Sequence, residues 1–162
     1  MKAQLSSKTV LFTPAVCVLP KAASKRALIG RLVRQMGAQL GALSVEDITE
    51  QIAEREKAGS TALETGLSLP HIRLDEIDSL CASAAFLRQP LVDPETGHAI
   101  QLMCVFASPK KPAYFQQHLR FLAALAATFT PEFIEELAAL QTDVQERLKQ
   151  ALQACLARAG KE

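Results

Sequence analysis

The chemistry open to this chain turns first on its histidines: His71, His98 and His118. No two are spaced as an HExxH or HxxxH pair, so a helix-borne metal site has no support. His71 stands in Leu69-Pro70-His71-Ile72-Arg73. Pro70 fixes its own φ and restricts the residue before it, so the chain reaches the histidine stiffly. Imidazole is largely neutral at pH 7, and one ring nitrogen can then attack phosphorus while a hydrogen bond fixes the other. Alone, the pentapeptide is a weak signal, and a loop histidine without a role is the commoner outcome. His98 follows Gly97 in a turn cluster and matches nothing functional.

Other chemistries find no motif. There is no GxxxxGK[ST] loop, since Gly59-Ser60-Thr61 has neither its lysine nor its spacing, and there is no GxGxxG or GxSxG. Nucleotide hydrolysis and α/β-hydrolase chemistry are therefore unsupported. Cys17, Cys81, Cys104 and Cys155 are far apart and form no CxxC. They read as small buried hydrophobes of a reducing compartment. A formal net charge of +1 gives no general attraction to nucleic acid or to an anionic membrane, so any anion handled here must be met by a local site. No stretch approaches the roughly 20 apolar residues of a membrane span. Ser6, Ser7 and Lys8 interrupt the apolar run that an export signal needs, and a cytoplasmic protein without membrane insertion is expected.

The elements that must position these residues can be read in outline. A hydrophobic fraction of 49% and a charged fraction of 22% suit a globular chain with one substantial core. Residues 1–162 read as a single domain, without repeat, low-complexity tract or linker. Val16 to Leu19 is β-like and ends at Pro20. Ser24 caps a helix whose stripe is Leu28, Ile29, Leu32, Val33, Met36 and Leu40, closed by Gly41. Ser44 opens a second helix that ends at Gly59, with Asp47 as a weak capping-box partner. Thr61-Ala62-Leu63 and Leu67-Ser68-Leu69 read as short extended pieces around a Thr65-Gly66 turn, followed by a loop carrying His71 and Arg73. Cys81 to Leu87 and Ile100 to Ala107 are stronger strand candidates, joined as a hairpin by Asp93-Pro94-Glu95-Thr96-Gly97. Ser108 to Pro112 reads as a rigid basic loop. Residues 113–129 then carry a helical stripe, Thr130-Pro131 starts another helix, and Thr142 with Gln145 reads as the capping box of the last. Helices, short strands, then helices suggest one sheet covered by helices.

Several of these features occur together. Arg55-Glu56, then Gly59-Ser60-Thr61, then Gly66-Leu67-Ser68-Leu69-Pro70-His71 resembles the active-site signature of the phosphotransferase system (PTS) enzyme IIA domains of type 2, the fructose/mannitol/nitrogen-regulatory IIA family. Ile100 to Pro109 resembles that family's apolar strand ending at proline, and Gln117-His118-Leu119 resembles the helix that carries its second histidine. His71 follows Arg55 by 16 residues and precedes His118 by 47, and the likeness runs over about residues 8–155.

The resemblance implies an α/β (α+β) fold, a three-layer α/β/α sandwich with a mixed, mostly short-stranded central sheet. It implies His71 as phosphoacceptor through its ε nitrogen and His118 as donor of a hydrogen bond to the phosphoryl oxygens. Arg55 would neutralise the transferring group and Thr61 would support the site. It implies no cofactor and no metal. The donor would be an HPr-like phosphocarrier protein, and a IIB domain or regulated target proteins would lie downstream. With neither membrane spans nor a fused IIB domain in view, the nitrogen-regulatory branch is expected, with a stand-alone sugar-specific IIA component as the alternative. Glu64, Ser68 and Ile72 depart from the family, which usually has small residues at those positions. They motivate a further alternative, a non-catalytic regulator that keeps the fold. Ile72 and Leu74 are expected on an apolar docking surface around His71.

Overall fold

The computed structural model describes residues 14–160. Ser6, Ser7 and Lys8, which spoke against an export signal, lie outside the described residues. Strand β1, Ala15–Leu19, comes first. The Ser24 hydroxyl accepts the Ala27 N–H at 3.0 Å and caps helix α1, Lys25–Gln35. The apolar stripe predicts one helix as far as Leu40. The chain instead breaks at Met36 and resumes as the short turn α2, Gly37–Leu40, because a glycine in mid-helix weakens the ladder. Gly41, at φ 65°, then turns the backbone away. Ser44 caps α3, Val45–Ala58, by accepting the Asp47 N–H at 3.2 Å.

Strands β2, Leu67–Ser68, and β3, His71–Leu74, both lie parallel to β5, Ala99–Pro109. Leu67 faces Leu102 and His71 faces Phe106, so the register carries straight through. The two are one edge strand interrupted at Leu69-Pro70, where proline has no N–H to give to a ladder. On its other side β5 is antiparallel to β4, Cys81–Val92, and β4 is parallel to β1. The sheet is therefore mixed, with order β1-β4-β5-β2 and β3 also on β5.

Three helices complete the chain: α4, Phe115–Thr128, α5, Pro131–Ala139, and α6, Val144–Ala159. Alternation along the strands sorts the core into two layers. Phe86, Leu102, Cys104 and Phe106 pack against Phe121, Leu125, Leu137, Leu148 and Leu152 of α4 to α6. Leu87, Met103, Val105 and Ala107 pack against Leu28, Leu32, Ile48 and Ile52 of α1 and α3. A sheet apolar on both faces must be covered on both, and the result is an α/β/α sandwich. Among the described residues no helix is long and apolar enough to cross a membrane. Cys81, Cys104 and Cys155 are buried thiols, and Cys17 is half-buried.

Four local expectations change. Thr61-Ala62-Leu63 is not a strand: Leu63 donates to the Leu67 carbonyl and Gly66 to that of Leu63, which makes a turn with Gly66 at φ 101°. The segment expected as a loop around His71 is strand β3. Ser108 and Pro109, expected in a loop, finish β5. The Thr142–Gln145 capping box does not form. The N-cap of α6 is Asp143 at φ 67°, and Thr142 Oγ1 instead lies 3.5 Å from the Asp143 carboxylate.

Candidate functional site

His71 opens β3 directly after Pro70. Its Nδ1 lies 2.8 Å from the Leu69 carbonyl oxygen. A carbonyl can only accept, so Nδ1 carries the proton and the lone pair of the neutral ring sits on Nε2. The ring stacks on Phe106, with centroids 4.9 Å apart and planes 13° from parallel. Phe106 is its register partner on β5, so the sheet itself holds the imidazole flat.

His118 arrives from α4. Its ring centroid lies 5.3 Å from that of His71, at an interplanar angle of 60°, and 5.5 Å from that of Phe106. It is buried, and its Nδ1 lies 2.7 Å from Ser108 Oγ, a fully buried hydroxyl. Burial pushes its pKa down to about 4, helped by the charges of His71, Arg73 and Arg55.

These groups line a pocket of about 590 Å³ with Glu50, Gln51, Glu54, Arg55, Ile72, Arg73 and Lys110. Arg55 is exposed in the last turn of α3, and its guanidinium has no hydrogen bond or ion pair among the described residues. Arg73 shares a strand face with His71, being two residues on. One of its Nη atoms donates to the Pro109 carbonyl at 3.0 Å, and its guanidinium carbon sits 5.3 Å from the Phe115 ring centroid. Its Nε is buried with no partner among the described residues. The lining thus brings three cations, Arg55, Arg73 and Lys110, together with the carboxylates of Glu50 and Glu54. The arrangement offers a nucleophilic nitrogen, a second imidazole beside it, and planar cations suited to phosphoryl or carboxylate oxygens.

Thr61 does not line the pocket. Its Oγ1 donates to Glu56 Oε2 at 2.9 Å and accepts the Leu69 N–H at 3.0 Å, while its own N–H reaches Glu56 Oε1 at 3.0 Å. It steadies Leu69, whose carbonyl holds His71. Glu56 is buried and paired at 3.0 Å with Lys25, whose ammonium also meets Asp93 at 2.6 Å and Glu95 at 3.1 Å.

Ile72 and Leu74 are not a docking surface. Only 3% and 7% of each is exposed, because alternation in β3 turns both into the α1/α3 layer while His71 and Arg73 face the other way. The apolar surface near the pocket belongs to Phe115, under the Arg73 guanidinium, and to Leu119, next to His118 in α4. Glu64 is exposed in the turn before β2 and is not among the residues that line the pocket, and Ser68 is fully buried. Sequence reasoning gave no role to Arg73, Ser108 or Lys110. The available signal was the spacing of Arg73 from His71, which means a shared face only once the segment is known to be a strand.

The chain is similar to known proteins over most of its length. It is 27% identical to a nitrogen regulatory protein of Pseudomonas aeruginosa over 129 residues, covering 79% of this chain and 76% of that protein. It is also 27% identical to the PTS system 2-O-alpha-mannosyl-D-glycerate-specific EIIABC component of Escherichia coli, covering 83% of this chain but only 20% of that much longer protein. The fold matches the crystal structure of nitrogen regulatory protein IIA-Ntr from Neisseria meningitidis with a TM-score of 0.72 at 24% identity, over 85% of this chain and 92% of that one. It matches IIA mannitol from Escherichia coli with a TM-score of 0.67 at 18% identity, over 88% and 98% of the respective chains. With the family model matching residues 10–151, the chain belongs to the family of the phosphoenolpyruvate-dependent sugar phosphotransferase system, EIIA 2.

Proposed function

We propose that this protein is a phosphocarrier of the nitrogen-regulatory type, which accepts a phosphoryl group on Nε2 of His71 from the phosphohistidine of an HPr-like carrier. The observation that carries this reading is the hydrogen bond from His71 Nδ1 to the Leu69 carbonyl, which leaves Nε2 unprotonated beside His118. In the transfer, the Nε2 lone pair forms a bond to phosphorus as the donor's nitrogen–phosphorus bond breaks. That electron pair returns to the donor ring. The positive charge that develops on the His71 ring is met by the Leu69 carbonyl. Arg55 and Arg73 compensate the phosphoryl charge, His118 donates to its oxygens, and Thr61 keeps Leu69 in place. Phosphoryl transfer depends on such positioning and charge compensation more than on covalent help from the protein.

The nitrogen-regulatory branch is favoured because the nitrogen regulatory relative is matched over 76% of its own length. The phosphorylation state would then be read by regulated target proteins. In the sugar-specific alternative, suggested by the likeness to an EIIABC component, a IIB domain takes the phosphate.

Incubation with a phosphorylated HPr-like carrier tests the proposal. Mass spectrometry is expected to find one acid-labile phosphate on His71, and His71→Ala is expected to abolish it. Equal labelling of the His71→Ala variant would move the site elsewhere, and no labelling of the native protein would leave the non-catalytic regulator as the reading.

A further inference from the structure

His118 can donate a hydrogen bond to a phosphoryl group on His71 only if its free ring nitrogen carries a proton. Ordinarily a histidine secures this by being charged. In the unphosphorylated protein that route is disfavoured, because burial and the neighbouring cations push the ring's pKa down to about 4. A neutral imidazole carries a single proton, on Nδ1 or on Nε2, and whatever is bonded to one nitrogen decides the other.

The partner of Nδ1 is Ser108 Oγ, 2.7 Å away. Ser108 is fully buried in β5, and this is its hydroxyl's one hydrogen bond among the described residues. A hydroxyl proton that is not given to Nδ1 would be left in the core without an acceptor, at a cost comparable to a lost hydrogen bond. Ser108 and Phe106 lie on the same face of β5, so one strand supports both imidazoles and aims this hydroxyl at the edge of the His118 ring.

We propose that Ser108 is a positioning residue that donates its hydroxyl proton to Nδ1 of His118 and so holds this ring as the neutral Nε2–H tautomer, a ready donor toward phosphoryl oxygens on His71. A neutral donor serves a carrier that must later release its phosphate, because it orients the group without adding a full positive charge to hold it. The role of His118 as a phosphoryl donor rests on the function proposed above, whereas the tautomer itself does not depend on it.

The test uses the full chain with nitrogen-15 histidine, read by two-bond proton–nitrogen correlation spectra at pH 7, beside transfer kinetics with a phosphorylated HPr-like carrier. In the native protein, Nδ1 of His118 is expected in the unprotonated range and Nε2 in the protonated range. Ser108→Ala is expected to mix the two tautomers and to lower the maximal transfer rate by roughly the fraction of rings that lose the Nε2 proton, a factor of about two to five, with little change in the apparent affinity for the carrier. Ser108→Thr keeps the hydroxyl and is expected to restore both the spectrum and the rate. A native protein with its proton on Nδ1 of His118, or an Ala variant with the native spectrum, would overturn the proposal. A Ser108-dependent tautomer in a protein that takes up no phosphate would instead overturn the phosphocarrier reading and leave the tautomer assignment standing.

Discussion

Buried beside two guanidinium groups, His118 resists protonation until the pH falls to about 4, whereas in the unfolded chain its imidazole takes up a proton near the ordinary 6.5. Between those values the unfolded state binds more protons than the folded one. The linked stability is therefore complete above about pH 6.5 and is lost as the pH falls toward 4. His118→Gln removes this linkage. The urea midpoint of the native protein is expected to fall more between pH 7 and pH 5 than that of the variant, and parallel losses would refute the assignment. At Arg55 the exposed guanidinium has no hydrogen bond or ion pair to lose among the described residues. Arg55→Ala should therefore leave the melting temperature unchanged while slowing phosphoryl transfer by roughly two orders of magnitude, the usual cost of one transition-state donor. An unchanged transfer rate in single-turnover labelling would remove Arg55 from the site.

At the scale of elements, the link between α3 and the broken edge strand decides how His71 is held. Thr61→Val keeps the shape of the side chain but strips the hydroxyl that joins Glu56 Oε2 to the Leu69 N–H, so both atoms lose this partner while Glu56 Oε1 keeps Lys25 and the Thr61 N–H. A loss of about 1–3 kcal/mol is expected by chemical denaturation, largely recovered in Thr61→Ser. No recovery in Ser, or no loss in Val, would show that the bridge does not matter. The sequence made the longer elements legible. The stripes of α1, α4 and α6 are long enough to show a helical period, and Ser24, Ser44 and Thr130 mark the starts of α1, α3 and α5 as observed caps. It showed β2 as a short extended piece but hid β3, because four residues are too few for alternation to emerge and Pro70 before them reads as a loop signal. The same blindness explains the site. His71, His118 and Arg55 could be named from motifs in order along the chain. Arg73, Ser108 and the burial of Ile72 depend on which face of a strand each residue takes, and a segment read as a loop has no faces.

Across the whole molecule, one buried ammonium ties distant parts together. Lys25 starts α1, Glu56 lies near the end of α3, and Asp93 and Glu95 sit in the turn between β4 and β5. Lys25→Met would leave two carboxylates buried without their cation, and a loss on the order of 3–5 kcal/mol is expected from thermal or urea unfolding. Burial alone would raise the Asp93 pKa, but Lys25, Thr96 and Ser60 outweigh it and bring it from 3.8 to about 2. That contribution is present above about pH 4 and disappears as the pH falls toward 2, so Asp93→Asn should flatten the acid limb of unfolding in that window. The placement of Phe106 and Ser108, two residues apart on β5, has a further consequence. The rings of His71 and His118 are mounted on a single rail, so the gap between them is set before any visitor arrives. Under the proposed function, transfer would need no closing door, and the empty and charged forms would present the same outline, differing to a partner only in the phosphate itself.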